Sequence, residues 1–135
     1  MNPQMTVTYQ GQLRNQATHL KSGNILITDA PIDNQGKGEA FSPTDLLCTS
    51  LATCMLTLMG ITSQNKGIEL GKVHAEIEKV MASDPRRVCE IRVRFTFESN
   101  RYTEWEKTIL ENAAKSCPVA QSIHPNIAQM IEFVY

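Results

Sequence analysis

Four cysteines are the residues of this sequence best suited to chemistry: Cys48, Cys54, Cys89 and Cys117. They contain no C-x-x-C pair, and no Cys/His group has the spacing of a structural zinc site. His19, His74 and His124 are far apart in the chain. Any chemistry here is therefore that of thiols brought together by the fold. Cys48 and Cys54 are six residues apart, which on a helix sets their side chains about 120° from each other. Cys48 and Cys89 read as core fillers. Cys54 sits in an apolar stretch where a small hydrophobe is the ordinary role. Cys117 precedes Pro118 and reads as the cap of a short helix. There, unpaired N–H groups and the positive end of the helix dipole lower a thiol's pKa. If two thiols cooperate, Cys54 and Cys117 are the pair with access to helix ends, loops and a covered surface. Arg14 is the only arginine in the first 85 residues. A guanidinium stabilises a thiolate or polarises a peroxide oxygen, although a strand arginine is ordinarily just solvated. His19 and His124 are candidate bases with no sequence partner that singles them out.

The elements that must position these residues follow from the pattern. Met5–Tyr9, Leu13–Leu20 and Ile25–Thr28 read as three strands of an antiparallel meander, punctuated by Gly11 and by Lys21-Ser22-Gly23-Asn24. Asp29–Phe41 reads as a loop, long enough that a function is expected of it. Ser42-Pro43-Thr44-Asp45 is a helix start: Ser42 caps, Pro43 suits the first turn and Asp45 completes a capping box. That helix is expected to run to about Ile61, with Leu47, Leu51, Cys54, Leu58 and Ile61 on one stripe. Leu46, Cys48, Ala52, Met55, Leu56 and Met59 cover most of its remaining surface. A helix apolar nearly all round is buried on most sides. The expectation is a sheet on one side of it and another chain on the other.

Val73, Ala75 and Ile77 alternate with polar residues, as do Cys89, Ile91, Val93, Phe95 and Phe97, giving two further strands. Thr103-Glu104-Trp105-Glu106 opens a second capped helix, carrying Trp105, Ile109, Leu110, Ala113 and Ala114 inward and stopping near Ser116. A short helix from Pro118 to about Ile123 and a final strand with Ile131, Phe133 and Tyr135 complete the chain. The order predicts an α+β domain with antiparallel sheets.

Composition bounds the function. The chain has 135 residues, 41% hydrophobic and 20% charged, with a net charge of −1. This fits one domain with a real core. It disfavours nucleic acid and anionic membranes as partners, since both select basic surfaces. Met1–Tyr9 is polar and uncharged, unlike a signal peptide. Thr49, Ser50, Thr53 and Thr57 interrupt the longest apolar stretch, so no membrane span is expected. The default is a cytoplasmic protein with reduced thiols.

Ser42-Pro43-Thr44-Asp45-Leu46-Leu47, followed by Leu51-Ala52-Thr53-Cys54-Met55, resembles the central helix of the OsmC/Ohr family (osmotically inducible protein C and organic hydroperoxide resistance protein). Cys117-Pro118-Val119 resembles the family's second cysteine motif. Order, spacing and flanking strands agree over essentially the whole chain, residues 1–135. The resemblance implies a single OsmC-like domain and an intertwined homodimer whose antiparallel sheets wrap two central helices.

The resemblance also implies an activity: thiol-dependent reduction of organic hydroperoxides, with hydrogen peroxide as a further substrate, in oxidative-stress defence. Cys54 then matches the peroxidatic cysteine, Cys117 the resolving cysteine and Arg14 the family's strand-borne arginine. The partners implied are a small hydroperoxide and a dithiol reductant, with no metal or organic cofactor. In the organic-hydroperoxide branch a Glu ten positions before the reactive cysteine clamps the arginine. Here that position is Thr44, and the chain is closer to the broader OsmC-like branch. Rival readings are a dimer that binds a small apolar ligand without catalysis, a thiol redox sensor, and an RNA-binding module. The last is disfavoured by charge and by the lack of a glycine-rich loop beside a basic run.

Overall fold

The computed structural model describes residues 1–135. Three strands, a helix, two strands, two helices and a last strand follow one another, the α+β order expected. The chain divides into two compact units, Met1–Leu47 and Cys48–Tyr135.

In the first unit, β1 (Met5–Gly11), β2 (Arg14–His19) and β3 (Ile25–Asp29) form an antiparallel sheet in that order. Gly23, at φ +73°, closes the second hairpin, where an L side chain would be strained. The register aligns Val7 with Ala17 and Ala17 with Leu26. Period-two alternation puts Met5, Val7 and Tyr9 on one face, and they are 63%, 67% and 61% exposed. The buried residues of this unit, Thr28, Asp29 and Ser42, are all polar. Its loop is tied down by backbone bonds: the Asp29 N–H donates to the Phe41 carbonyl and the Gly38 N–H to that of Ala30. Gly36 is required there, because a Cβ would lie 1.8 Å from the Ala30 carbonyl oxygen.

Helix α1 (Pro43–Lys66) begins as the capping box predicts. The Asp45 N–H donates to Ser42 Oγ (3.0 Å) and the Ser42 N–H to Asp45 Oδ2 (2.9 Å). The helix continues past Ile61, because Thr62–Lys66 contains no glycine or proline to stop it. It ends where Gly67 adopts φ +68° and the Ile68 N–H reaches back to the Ser63 carbonyl, the Schellman closure. By length and composition α1 is apolar enough to cross a bilayer, while Thr49, Ser50, Thr53 and Thr57 interrupt its apolar surface. Its buried stripe is Cys48, Leu51, Ala52, Met55, Met59 and Ser63, offset from the stripe expected. Leu58 is only half-buried and Ile61 is exposed.

In the second unit, β4 (Val73–Ala82) pairs antiparallel with β5 (Arg87–Phe97). The last strand, β6 (Ala128–Val134), pairs with β5 in parallel, contrary to the expected all-antiparallel sheets. The cause is the crossover of helices α2 (Glu104–Lys115) and α3 (Pro118–Ser122), which returns the chain to the end from which β5 began. Leu51, Met55, Met59, Ile91, Phe95, Leu110, Ala114 and Cys117 make the core of this unit. Trp105, expected inward, is 63% exposed. The inward side of α2 is carried by Leu110 and Ala114.

Candidate redox site

Cys54 lies mid-way along α1 and is half-buried, off the fully buried stripe. Cys117 is the N-cap of α3 and is fully buried. The fold brings these two together: the Cys54 thiol lies within hydrogen-bonding reach of Cys117, and both are free thiols. Cys48 is buried on the α1 core stripe. Cys89, half-buried on β5, donates to the Val80 carbonyl. Both therefore occupy filler positions.

The surroundings of Cys117 fix its chemistry. Its N–H donates to the Ala114 carbonyl at the end of α2, and its Sγ accepts the Ala120 N–H at 3.3 Å. Burial nevertheless pushes the thiol's pKa above its ordinary value, and the neighbouring Cys54 thiol adds to the rise. The N–H groups of Ala120 and Val119 pull the other way and lose. This corrects the expectation of a lowered pKa at a helix N-terminus. Helix α3 has only five residues, so its dipole is short, while the thiol is shut off from solvent.

Arg14 belongs to the first unit, on β2, where the register sets it opposite Asp29 at the end of β3. Its Nε donates to Asp29 Oδ1 at 2.7 Å and its Nη2 to Oδ2 at 2.8 Å, a bidentate pair. Nη2 also reaches Glu39 Oε2 at 3.3 Å, and the Glu39 N–H donates to Asp29 Oδ2. The Asp29 side chain is fully buried, whereas that of Glu39 is 67% exposed. The Arg14 guanidinium, opposed by burial, holds the Asp29 carboxyl below its ordinary pKa, and Asp29 raises that of Arg14. Asp29 escaped the sequence reading. The signal for it was an acid closing an apolar strand, one hairpin away from an isolated arginine. Thr44 has its hydroxyl 3.2 Å from Ser42 Oγ at the start of α1.

His19 Nδ1 lies 2.6 Å from Ser22 Oγ, and His124 Nδ1 accepts the Asn126 N–H. Both are exposed and engaged in their own turns. No group of three His, Cys, Asp or Glu side chains is arranged to hold a metal ion. A groove of about 590 Å³ lies on the charged face of β4–β5–β6, and no cysteine lines it.

The family model described as OsmC-like protein matches residues 36–131. The chain therefore belongs to the OsmC-like family. A crystal structure from Psychrobacter arcticus 273-4, provisionally described as an osmotic stress induced and detoxification response protein, is 53% identical. It covers 98% of this chain and 96% of its own, with a TM-score of 0.94. An OsmC-like protein of Mycoplasma pneumoniae shares the fold at 18% identity and TM-score 0.77, over 97% of this chain and 96% of its own. So does an organic hydroperoxide resistance protein of Legionella pneumophila, at 15% identity and TM-score 0.76, over 97% and 95%. No curated protein sequence matches.

Proposed function

We propose that this chain is a cysteine-based hydroperoxide reductase acting through Cys54 and Cys117. The observation that carries the proposal is the meeting of two free thiols with unequal surroundings, one half-buried and one fully buried with a raised pKa. The more accessible thiol is the one a substrate reaches first. The description of the Legionella relative as an organic hydroperoxide resistance protein supports the same chemistry.

In the first step the Cys54 thiolate attacks the distal peroxide oxygen. The O–O bond breaks, Cys54 becomes a sulfenic acid, and the alkoxide leaves as the alcohol after taking a proton. In the second step Cys117 attacks the sulfenic sulfur. A Cys54–Cys117 disulfide forms and the hydroxyl departs as water. An external dithiol then reduces the disulfide by exchange, which suits a reducing cytoplasm as the place of work. The resemblance gives Arg14 the role of stabilising the thiolate or the peroxide oxygen, and the buried Asp29 supplies the fixed carboxylate that such an arginine needs.

We also propose a homodimer. The first unit buries no apolar side chain of its own and exposes Met5, Val7 and Tyr9 in a row, while α1 leaves Ile61 exposed. A second copy provides the missing cover.

Mass spectrometry after one equivalent of cumene hydroperoxide tests the mechanism. The expected product is the Cys54–Cys117 disulfide. A fully reduced protein, or normal turnover by Cys54→Ser, would overturn it.

A further inference from the structure

Strand β6 carries one residue that breaks its pattern. Its inward parity runs Gln129, Ile131, Phe133, and the first of these is a polar amide in an otherwise apolar row. Gln129 pairs in register with Ile91, which is fully buried. A primary amide at such a position is costly unless its hydrogen bonds are met. Gln129 Nε2 meets one by donating to the Ala120 carbonyl at 3.2 Å.

Ala120 is also the residue whose N–H rests on Cys117 Sγ. It is therefore held from both sides, by the thiol on its amide nitrogen and by Gln129 on its carbonyl. The element between them is the five-residue α3. An isolated helix that short has too few internal bonds to persist, so its position must come from tertiary contacts. Gln129 anchors it to the start of β6, the edge strand that pairs in parallel with β5.

We propose that Gln129 is a positioning residue that holds α3, and with it Cys117, in the placement from which Cys117 closes onto Cys54. This rests on the two-cysteine reading above and adds the element that times its second step. That step joins Cys54–SOH and Cys117–SH into Cys54–S–S–Cys117 and releases one water. A disulfide needs the two sulfurs at about 2.05 Å, far closer than the hydrogen-bonded thiols, so α3 must yield slightly while staying in register. Without the Gln129 tether, α3 samples other positions and the sulfenic acid waits longer.

The test compares wild type, Gln129→Met and Gln129→Glu in single-turnover reactions with cumene hydroperoxide. Sulfenic acid is trapped with a 1,3-diketone and disulfide is followed by mass spectrometry, with thermal melts confirming that each variant folds. In Gln129→Met, which keeps the volume and loses the donor, sulfenic acid forms at the wild-type rate. Disulfide formation slows about 3- to 10-fold, the worth of one hydrogen bond, and trapping rises. In Gln129→Glu the protonated acid can donate to the Ala120 carbonyl and the carboxylate cannot. Its disulfide rate relative to wild type should therefore recover on acidification, which Gln129→Met cannot do. Wild-type disulfide rates in both variants, or equal slowing of both steps, would overturn the role of Gln129 while leaving the two-cysteine mechanism standing. A wild-type protein that forms no Cys54–Cys117 disulfide removes that mechanism and this inference together.

Discussion

The two thiols differ chiefly in contact with solvent, and that difference orders their chemistry. Cys54→Ser should abolish peroxide consumption. Cys117→Ser should still react once and then stop at the sulfenic acid, which further peroxide drives to sulfinic acid; intact-mass measurement separates the two outcomes. Asp29 gives a pH prediction. Its folded pKa is depressed, so its stabilising contribution is fully present above the unfolded carboxyl's pKa, about 4. That contribution is lost as pH falls toward the lower folded value. In urea titrations wild type should lose stability over this acid window, and Asp29→Asn should lose less of it. The places of Cys54 within α1 and of Cys117 as a helix cap were legible in the sequence, because a mid-helix position and a Cys-Pro cap are local signals. The raised pKa of Cys117 was not, because desolvation depends on what the whole unit packs around it. Nor was the partner of Arg14, since a cross-strand pair is set by hairpin register and not by spacing along the chain.

At the level of elements, the capped helix starts were the most legible features. Ser42 and Asp45 make both bonds of a capping box, and Thr103 Oγ1 accepts the Glu106 N–H as its spacing implies. Ser42→Ala should cost about 1 kcal/mol of stability, read in the same urea titration. Gly67→Ala should cost about 1–2 kcal/mol, because a Cβ is strained at its positive φ. The end of α1 was legible in part: Asn65-Lys66-Gly67 reads as the stop, and it is there that the helix ends, although its apolar pattern runs only to about Ile61. The direction of β6 was not legible at all. Alternation gives a strand its faces but says nothing of which way it points, and here the α2–α3 crossover decides. Trp105 misled for a related reason. A large aromatic inside a capping box is read as core, yet it sits on the solvent side of the first turn, where Leu110 and Ala114 already fill the inward face.

For the molecule as a whole, apolar burial is uneven. The second unit has a core of large side chains at 0–1% exposure, including Leu51, Met55 and Phe95. Leu51→Ala there should cost about 2–5 kcal/mol, a loss read by thermal or urea unfolding. The first unit holds its sheet by backbone pairing around the buried Asp29 and its half-buried partner Arg14. Three strands with no apolar face buried are marginal in water, so a second copy of the kind proposed would order this sheet as well as cover it. Light scattering should give twice 15.1 kDa, and Val7→Glu should shift the species toward half that mass. The outward face of β4–β5–β6 differs in kind. Arg92 pairs with Glu78 and Glu90, and Arg94 with Glu76 and Glu132, the signature of a surface built to stay wet. The bare row on β1 has a consequence for how the protein behaves in solution. If burial of Met5, Val7 and Tyr9 comes from association, protection of the amides in β1, β2 and β3 against deuterium exchange depends on protein concentration, while that of β5 does not. Dilution would then melt one sheet of an otherwise intact molecule, turning a crowded or sparse cellular pool into a difference in local order.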